Sequence, residues 1–170
     1  MRLLRERGEG FDEVFSLMEK SFPPEERREK NAARAILKNR AYRLYRITDG
    51  GEFIGLLGVW RLSDFIFIEH FATLPEKRGR GYGKMALSAL FKLYGSAVLE
   101  VEPPESELTC RRVAFYERCG FHLSRDEYYQ PSYREGGEPV RLMLMSYPEP
   151  IVRHAEVAAA LYRDVYKVKK

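Results

Sequence analysis

Cysteine is scarce in this 170-residue chain, limited to Cys110 and Cys119. Both fall in one expected helix at a spacing that does not align them on one face, so neither a disulfide framework nor a zinc site is indicated. His70, His122 and His154 are remote from one another and lack carboxylate–histidine spacing, so no metal is expected. No apolar run approaches the roughly 18 residues of a membrane span, and the opening MRLLRERGEG has no apolar core of signal-peptide length. A cytoplasmic location with no membrane partner is expected. Runs of basic charge are equally short, never exceeding the pairs Arg27-Arg28, Arg111-Arg112 and Lys169-Lys170. A net charge of +4 and a pI near 9.0 suit a polyanionic ligand, but the mixture of signs argues against nucleic acid. Repeats and low-complexity segments are lacking too, and the length fits a single domain over residues 1–170.

What is present is concentrated between Ile66 and Leu93, where an apolar strand runs through a glycine-rich turn into an amphipathic helix. Gly79, Gly81 and Gly83 alternate with Arg80 and Tyr82, and Lys77, Arg78 and Lys84 add positive charge. Tyr82, Ala86, Ala89, Leu90 and Leu93 share a helical face, which puts the turn at a helix N-terminus, where free N–H groups and the dipole favour phosphate. Spacing separates three kinds of anion loop. A dinucleotide fingerprint would place Lys84 at its third small position, and a P-loop would need Ser or Thr where Met85 stands and glycine where Arg78 stands. The pattern that fits is R-x-x-G-x-G, Arg78 through Gly83, preceded by E-H-F-A-T-x-P.

Along the chain, Phe11, Val14, Phe15, Met18 and Phe22 mark a helix ended by Pro23-Pro24. A second helix, to about Lys38, offers mainly alanines to a core and reads as a loosely held lid. Tyr42 to Ile47 and Phe53 to Leu62 read as strands joined by a Gly50-Gly51 hairpin turn, and a third strand leads to the glycine loop. Then follow helix 82–94, strand Ala97 to Glu102, a helix from about Glu107 to Cys119, strands Phe121 to Tyr129 and Pro139 to Tyr147, and a terminal helix from Ile151 to Lys167. The stripe Ile151/Ala155/Ala158/Tyr162/Val165 could pack on its own domain or in a homodimer. Periodicity alone gives a mixed α/β domain.

The glycine loop, together with RRVAFYERCGF at Arg111 to Phe121, resembles the GNAT superfamily of acyl-CoA N-acyltransferases. The aromatic loop YYQPSY resembles a bacterial-type subgroup of it rather than any of known substrate. The resemblance implies an α/β (α+β) fold with a mixed central sheet of about seven strands, helices on both faces and a C-terminal helix. It implies a strand splayed from its parallel neighbour, leaving a V-shaped cleft between Phe65–Leu74 and Ala97–Glu102. It also implies acetyl-CoA as cosubstrate, the backbone of Phe71, Ala72 and Thr73 on the acetyl and pantetheine, and the N–H groups of Arg78, Gly79, Arg80, Gly81, Tyr82, Gly83 and Lys84 on the pyrophosphate. A bulge near Glu69 or His70 would open the strand edge for this.

The same resemblance makes Tyr116 the acid that faces the coenzyme sulfur, with core packing between Phe115 and Phe121 as the other reading. Where many GNAT proteins carry Asn and Ala ahead of that tyrosine, this chain has Thr109 and Arg112. Strict alternation puts Glu69 on a face with Phe65, Phe67, Phe71 and Thr73, and His70 opposite. Desolvation among those rings would raise the Glu69 carboxyl toward a base's range, or an arginine would pair with it. Glu100 and Glu102 compete as base and make an acidic rim suited to a cationic amine. The stretch Phe22 to Arg28 and the loop Tyr128 to Tyr133 form the expected acceptor wall, and Phe22, Glu25, Glu100, Gln130 and Tyr133 are candidate acceptor contacts. The expected activity is transfer of acetyl from acetyl-CoA to a primary amine, a small molecule or peptide α-amine, by direct attack. A non-catalytic acyl-CoA sensor on the same fold is the alternative.

Overall fold

The computed structural model describes residues 1–134 and 136–168. Glu135 and the pair Lys169-Lys170 noted above lie outside them. In chain order the elements are β1 (Arg2–Arg5), α1 (Phe11–Ser21), α2 (Lys30–Ala35), β2 (Tyr42–Asp49), β3 (Glu52–Arg61), β4 (Ile66–Thr73) and α3 (Tyr82–Tyr94). After these come β5 (Ala97–Val101), α4 (Glu107–Glu117), β6 (His122–Leu123), β7 (Tyr128–Gln130), β8 (Val140–Tyr147) and α5 (His154–Leu161). Among the described residues no helix is long and apolar enough to cross a membrane.

The strands form one sheet in the order β1-β2-β3-β4-β5-β8-β6, with β7 also on β8. Every pair is antiparallel except β4 with β5. The expected mixed sheet is therefore present, with eight strands. Alternation along β3 sends Leu56 and Trp60 into one core layer and Leu57 and Val59 into the other, and a register shift opposite Ile47 and Thr48 puts Phe53 with the first pair and Ile54 with the second. α1 fills the first layer with Phe11, Val14, Phe15, Leu17 and Met18. α3 fills the second with Ala86, Leu87 and Leu90, whereas Leu93, expected on that face, is exposed.

Three segments differ from expectation. The long second helix is broken: a 3-10 turn at Pro24–Glu26 is followed by extended backbone at Arg27 and Glu29 before α2 begins. Nor is it a loose lid, since Arg28 and the Glu26 carbonyl are bonded to the centre of the sheet. The strand expected from Phe121 to Tyr129 is two short strands, β6 and β7, each pairing with a different part of β8. The terminal helix shortens to α5 and widens into a π-turn over Tyr162–Tyr166. Leu161 and Val165 bury themselves in the α1 layer, and Ile151, Ala158 and Tyr162 of the stripe pack against it, while Ala155 is exposed.

Candidate active site

Gly58 faces His70 across the β3–β4 ladder while the next residue, Val59, faces Ile68, so Glu69 is the extra residue of a β-bulge. A bulge shifts the alternation by one. Phe67 and Ala72 point to the α1 layer, Ile68 and Phe71 to the α3 layer, and Glu69 and His70 share the α1 side. The expectation that His70 faces away from Glu69 is thus corrected by register. Beyond the bulge, β4 stays paired with β3 through Thr73, but its parallel pairing with β5 ends at Ile68 with Leu99. The strands part there. The edge of β4 from Glu69 to Thr73 is left without a strand on the β5 side, where strand backbone groups need another partner.

The glycine loop follows at the same end of the sheet. Gly79 and Gly81 have φ of +73° and +80°, a region L side chains rarely adopt, and Gly81 caps α3. The first bond of α3 runs from the Met85 N–H to the Gly81 carbonyl. Among the described residues no amide from Gly79 to Lys84 donates to the backbone, and Arg78, Gly79, Arg80, Gly81 and Lys84 are exposed. This is a row of free donors at a helix N-terminus, fitted to a polyphosphate. Gly83 serves packing instead: a Cβ there would lie 3.0 Å from the Phe115 ring. Tyr82 anchors the loop by donating its hydroxyl to Asp49 at 3.0 Å.

Phe115 belongs to α4, whose N-terminus is closed by a capping box between Ser106 and Thr109. Thr109, at the position where the resemblance expected a coenzyme-binding Asn, is committed to that cap. Arg112 is ion-paired with Glu102. Tyr116 is buried between Phe115 and Phe121, with ring centroids 5.1 and 5.5 Å away. Burial pushes its phenol up to about 12, so it stays protonated at neutral pH and retains a proton to give.

On the α1 side the two glutamates diverge. Glu69, with its side chain 1% exposed, pairs with Arg28, accepts from the Tyr133 hydroxyl at 2.8 Å and lies 3.5 Å from His70 Nδ1. Burial alone would raise its carboxyl, but Arg28, with His70 beside it, outweighs burial and holds it well below the usual carboxylate range. Of the two readings of Glu69 it is the arginine pair that the structure shows, with a charge partner from another part of the chain. Arg28 is itself held by the Val165 carbonyl at 3.3 Å and lies over the rings of Tyr133 and Trp60, 4.6 and 5.5 Å from their centroids.

Glu100, one residue past the last β4–β5 pair, has no such cation among its hydrogen-bond partners within the described residues. Its oxygens accept from the hydroxyls of Tyr128 and Tyr166. Burial, only partly offset by those donors, pushes the carboxyl up to about 8. Glu26 is also raised by burial.

Of the other candidate contacts, Phe22 meets His70 edge-on at 4.8 Å and Tyr133 stacks over His70 at 6.4 Å. Gln130 is buried, with no hydrogen-bond partner for its Nε2 among the described residues. Glu25 is exposed. A cavity of about 310 Å³ lies alongside, walled by Arg28, Ile36, Trp60, Tyr133 and Tyr166 among others. Arg28 and Tyr128 lie within the expected acceptor wall but were not singled out in it, and Tyr166 lies outside it. The first two stand in stretches rich in charge and aromatics, but Tyr166 lies off the helical stripe and gave no signal.

The Arg28–Glu69 pair yields a stability prediction. Arg28→Met should cost about 3–5 kcal/mol at neutral pH, because it leaves a buried carboxylate unpaired. The wild-type carboxyl sits below its ordinary value of 4.5, so its contribution is present above that value and lost as pH falls. Urea unfolding should show the gap narrowing in acid, and a pH-independent gap under 1 kcal/mol would rule out this role for the pair.

Known proteins share this fold. A solved structure from Bacteroides thetaiotaomicron, named as a GNAT-family acetyltransferase, superposes with a TM-score of 0.93 at 34% identity, covering 99% of this chain and 100% of that one. A Bacillus subtilis protein named as the acetyltransferase YjbC is 25% identical over 153 residues, 87% of this chain and 78% of the relative. A solved Bacillus subtilis acetyltransferase, described as a complex with CoA, shares the fold at a TM-score of 0.55 and 17% identity, covering 85% of this chain and 97% of that one. Residues 11–121 match the acetyltransferase (GNAT) family, from α1 through the end of the α4 segment. With splayed strands, free-amide glycine loop and family match all on one chain, this protein belongs to the GNAT acetyltransferase family.

Proposed function

We propose that the protein is an N-acetyltransferase that moves the acetyl group of acetyl-CoA directly to a primary amine, either a small molecule or a peptide α-amine. The observation that carries this reading is the β4 edge left open after Ile68, at the same end of the sheet as the free amides of Gly79 to Lys84. One end suits a polarised carbonyl and the other a pyrophosphate. The solved fold relative in complex with CoA supports the same choice of ligand. Acetyl-CoA would supply an acyl group already activated as a thioester.

The protein's own residues then divide the work. Backbone groups of Phe71, Ala72 and Thr73 orient the carbonyl and bear its developing charge. Glu100 takes the proton that the amine must lose as its bond to carbon forms, and Tyr116 gives one to the sulfur as the carbon–sulfur bond breaks. Glu100 is preferred to Glu69 as base because a carboxyl near 8 accepts a proton readily, whereas Arg28 keeps Glu69 from doing so. Phe22, Gln130 and Tyr133 line the acceptor's approach, with Glu25 at its outer rim.

Two experiments test the reading. Thiol release from acetyl-CoA, screened over small amines and peptides with free α-amines, should depend on the amine. Binding of acetyl-CoA with no release for any amine would make the protein a sensor instead. Separately, Gly81→Val forces a β-branched side chain into a φ of +80° at the amide cradle. Affinity for acetyl-CoA should fall at least about tenfold, or 1.4 kcal/mol. Unchanged calorimetric affinity in folded variant protein would place the pyrophosphate elsewhere.

A further inference from the structure

The C-terminal turn lies beyond the residues matched to the family, yet it reaches the middle of the site. Its widened π geometry buries Val165 and brings the ring of Tyr166 against Phe67 and Tyr133, 6.4 and 5.3 Å between centroids. Arg28 donates to the Val165 carbonyl at 3.3 Å and the Tyr162 hydroxyl to the Tyr129 carbonyl at 2.7 Å, and these bonds hold the turn against the rest of the chain. The Tyr166 hydroxyl lies 2.9 and 2.7 Å from the two oxygens of Glu100.

From this geometry we infer that Tyr166 is a positioning residue, whose hydroxyl fixes the orientation of the Glu100 carboxylate and favours its charged form. The groups facing Glu100 explain why a donor matters. Tyr128 approaches from β7 and Tyr166 from the C-terminal turn, while Glu69 on β4 and Glu26 on the 24–26 turn contribute like charge. Tyr133 and Tyr162 are further phenols within its field. Burial and the two glutamates disfavour ionisation, and the two phenol donors oppose them. Removing one donor makes Glu100 harder to ionise. The catalytic consequence rests on Glu100 being the base, but the effect on its carboxyl does not.

The test uses full-length protein with the Glu100 carboxyl followed by ¹³C NMR, its resonance identified by loss in Glu100→Gln. Tyr166→Phe should move the midpoint up by about one pH unit, the scale of one hydrogen bond to a charged group. The acidic limb of kcat should move with it, so that activity lost at pH 7 returns at higher pH. A variant carrying 3-fluorotyrosine at 166 keeps the shape with a more acidic phenol, and should move the midpoint down; it serves even if the phenylalanine variant does not fold. A midpoint that moves in neither variant overturns the inference. A midpoint that moves without the limb upholds it and removes Glu100 from the role of base.

Discussion

Glu100→Gln is expected to lower kcat by about 10²–10⁴-fold, roughly 3–5 kcal/mol, the usual worth of a positioned proton acceptor. The wild-type profile should rise with pH through about 8, the value to which burial pushes this carboxyl. In the variant that limb should vanish. An acceptor amine also titrates, so the comparison needs two acceptors of different basicity: the amine's limb follows the acceptor, and the Glu100 limb stays in place. Stability supplies an independent check. Because the folded carboxyl titrates above its ordinary value of 4.5, its contribution is complete below that value and lost as pH rises through about 8. Urea unfolding of wild type should weaken across that window more than that of Glu100→Gln. A variant that retains both wild-type kcat and the limb would show that Glu100 takes no proton in the rate-limiting step.

Tyr116→Phe should have the second large effect. The substitution keeps a ring that packs between Phe115 and Phe121 and deletes only the hydroxyl. If that hydroxyl protonates the sulfur, kcat should drop by about 10²–10⁴-fold while affinity for acetyl-CoA stays near wild type. The loss should be smaller with a thioester whose thiol is a better leaving group, since such a thiol depends less on an acid. Turnover at the wild-type rate under saturating substrates would reduce Tyr116 to a packing role.

How far the sequence reached depended on how local each determinant was. The glycine loop was legible because a positive φ at Gly79 and Gly81 and the helix start behind them are set by neighbouring residues. The need for a bulge near Glu69 was visible too, but not its register, and a one-residue slip moved His70 to the other face. For Glu69 the sequence left a desolvated base and an arginine pair both open, and it could not choose because the partner Arg28 stands 41 residues away, in a segment whose periodicity suggested a continuous helix. Drawing Arg28 into the sheet goes with the extended backbone at Arg27 and Glu29. Tyr166 was invisible for a related reason. Its bond to Glu100 spans 66 residues and depends on a π-turn, whose geometry ordinary helical spacing does not foretell.

Direct transfer to an amine is tested most directly by mass spectrometry of both protein and acceptor during turnover with acetyl-CoA. The acetyl group should appear on the acceptor nitrogen in step with thiol release, while the protein itself stays unmodified. Release of thiol with no acetylated acceptor, or acetyl found first on a side chain of the protein, would contradict it.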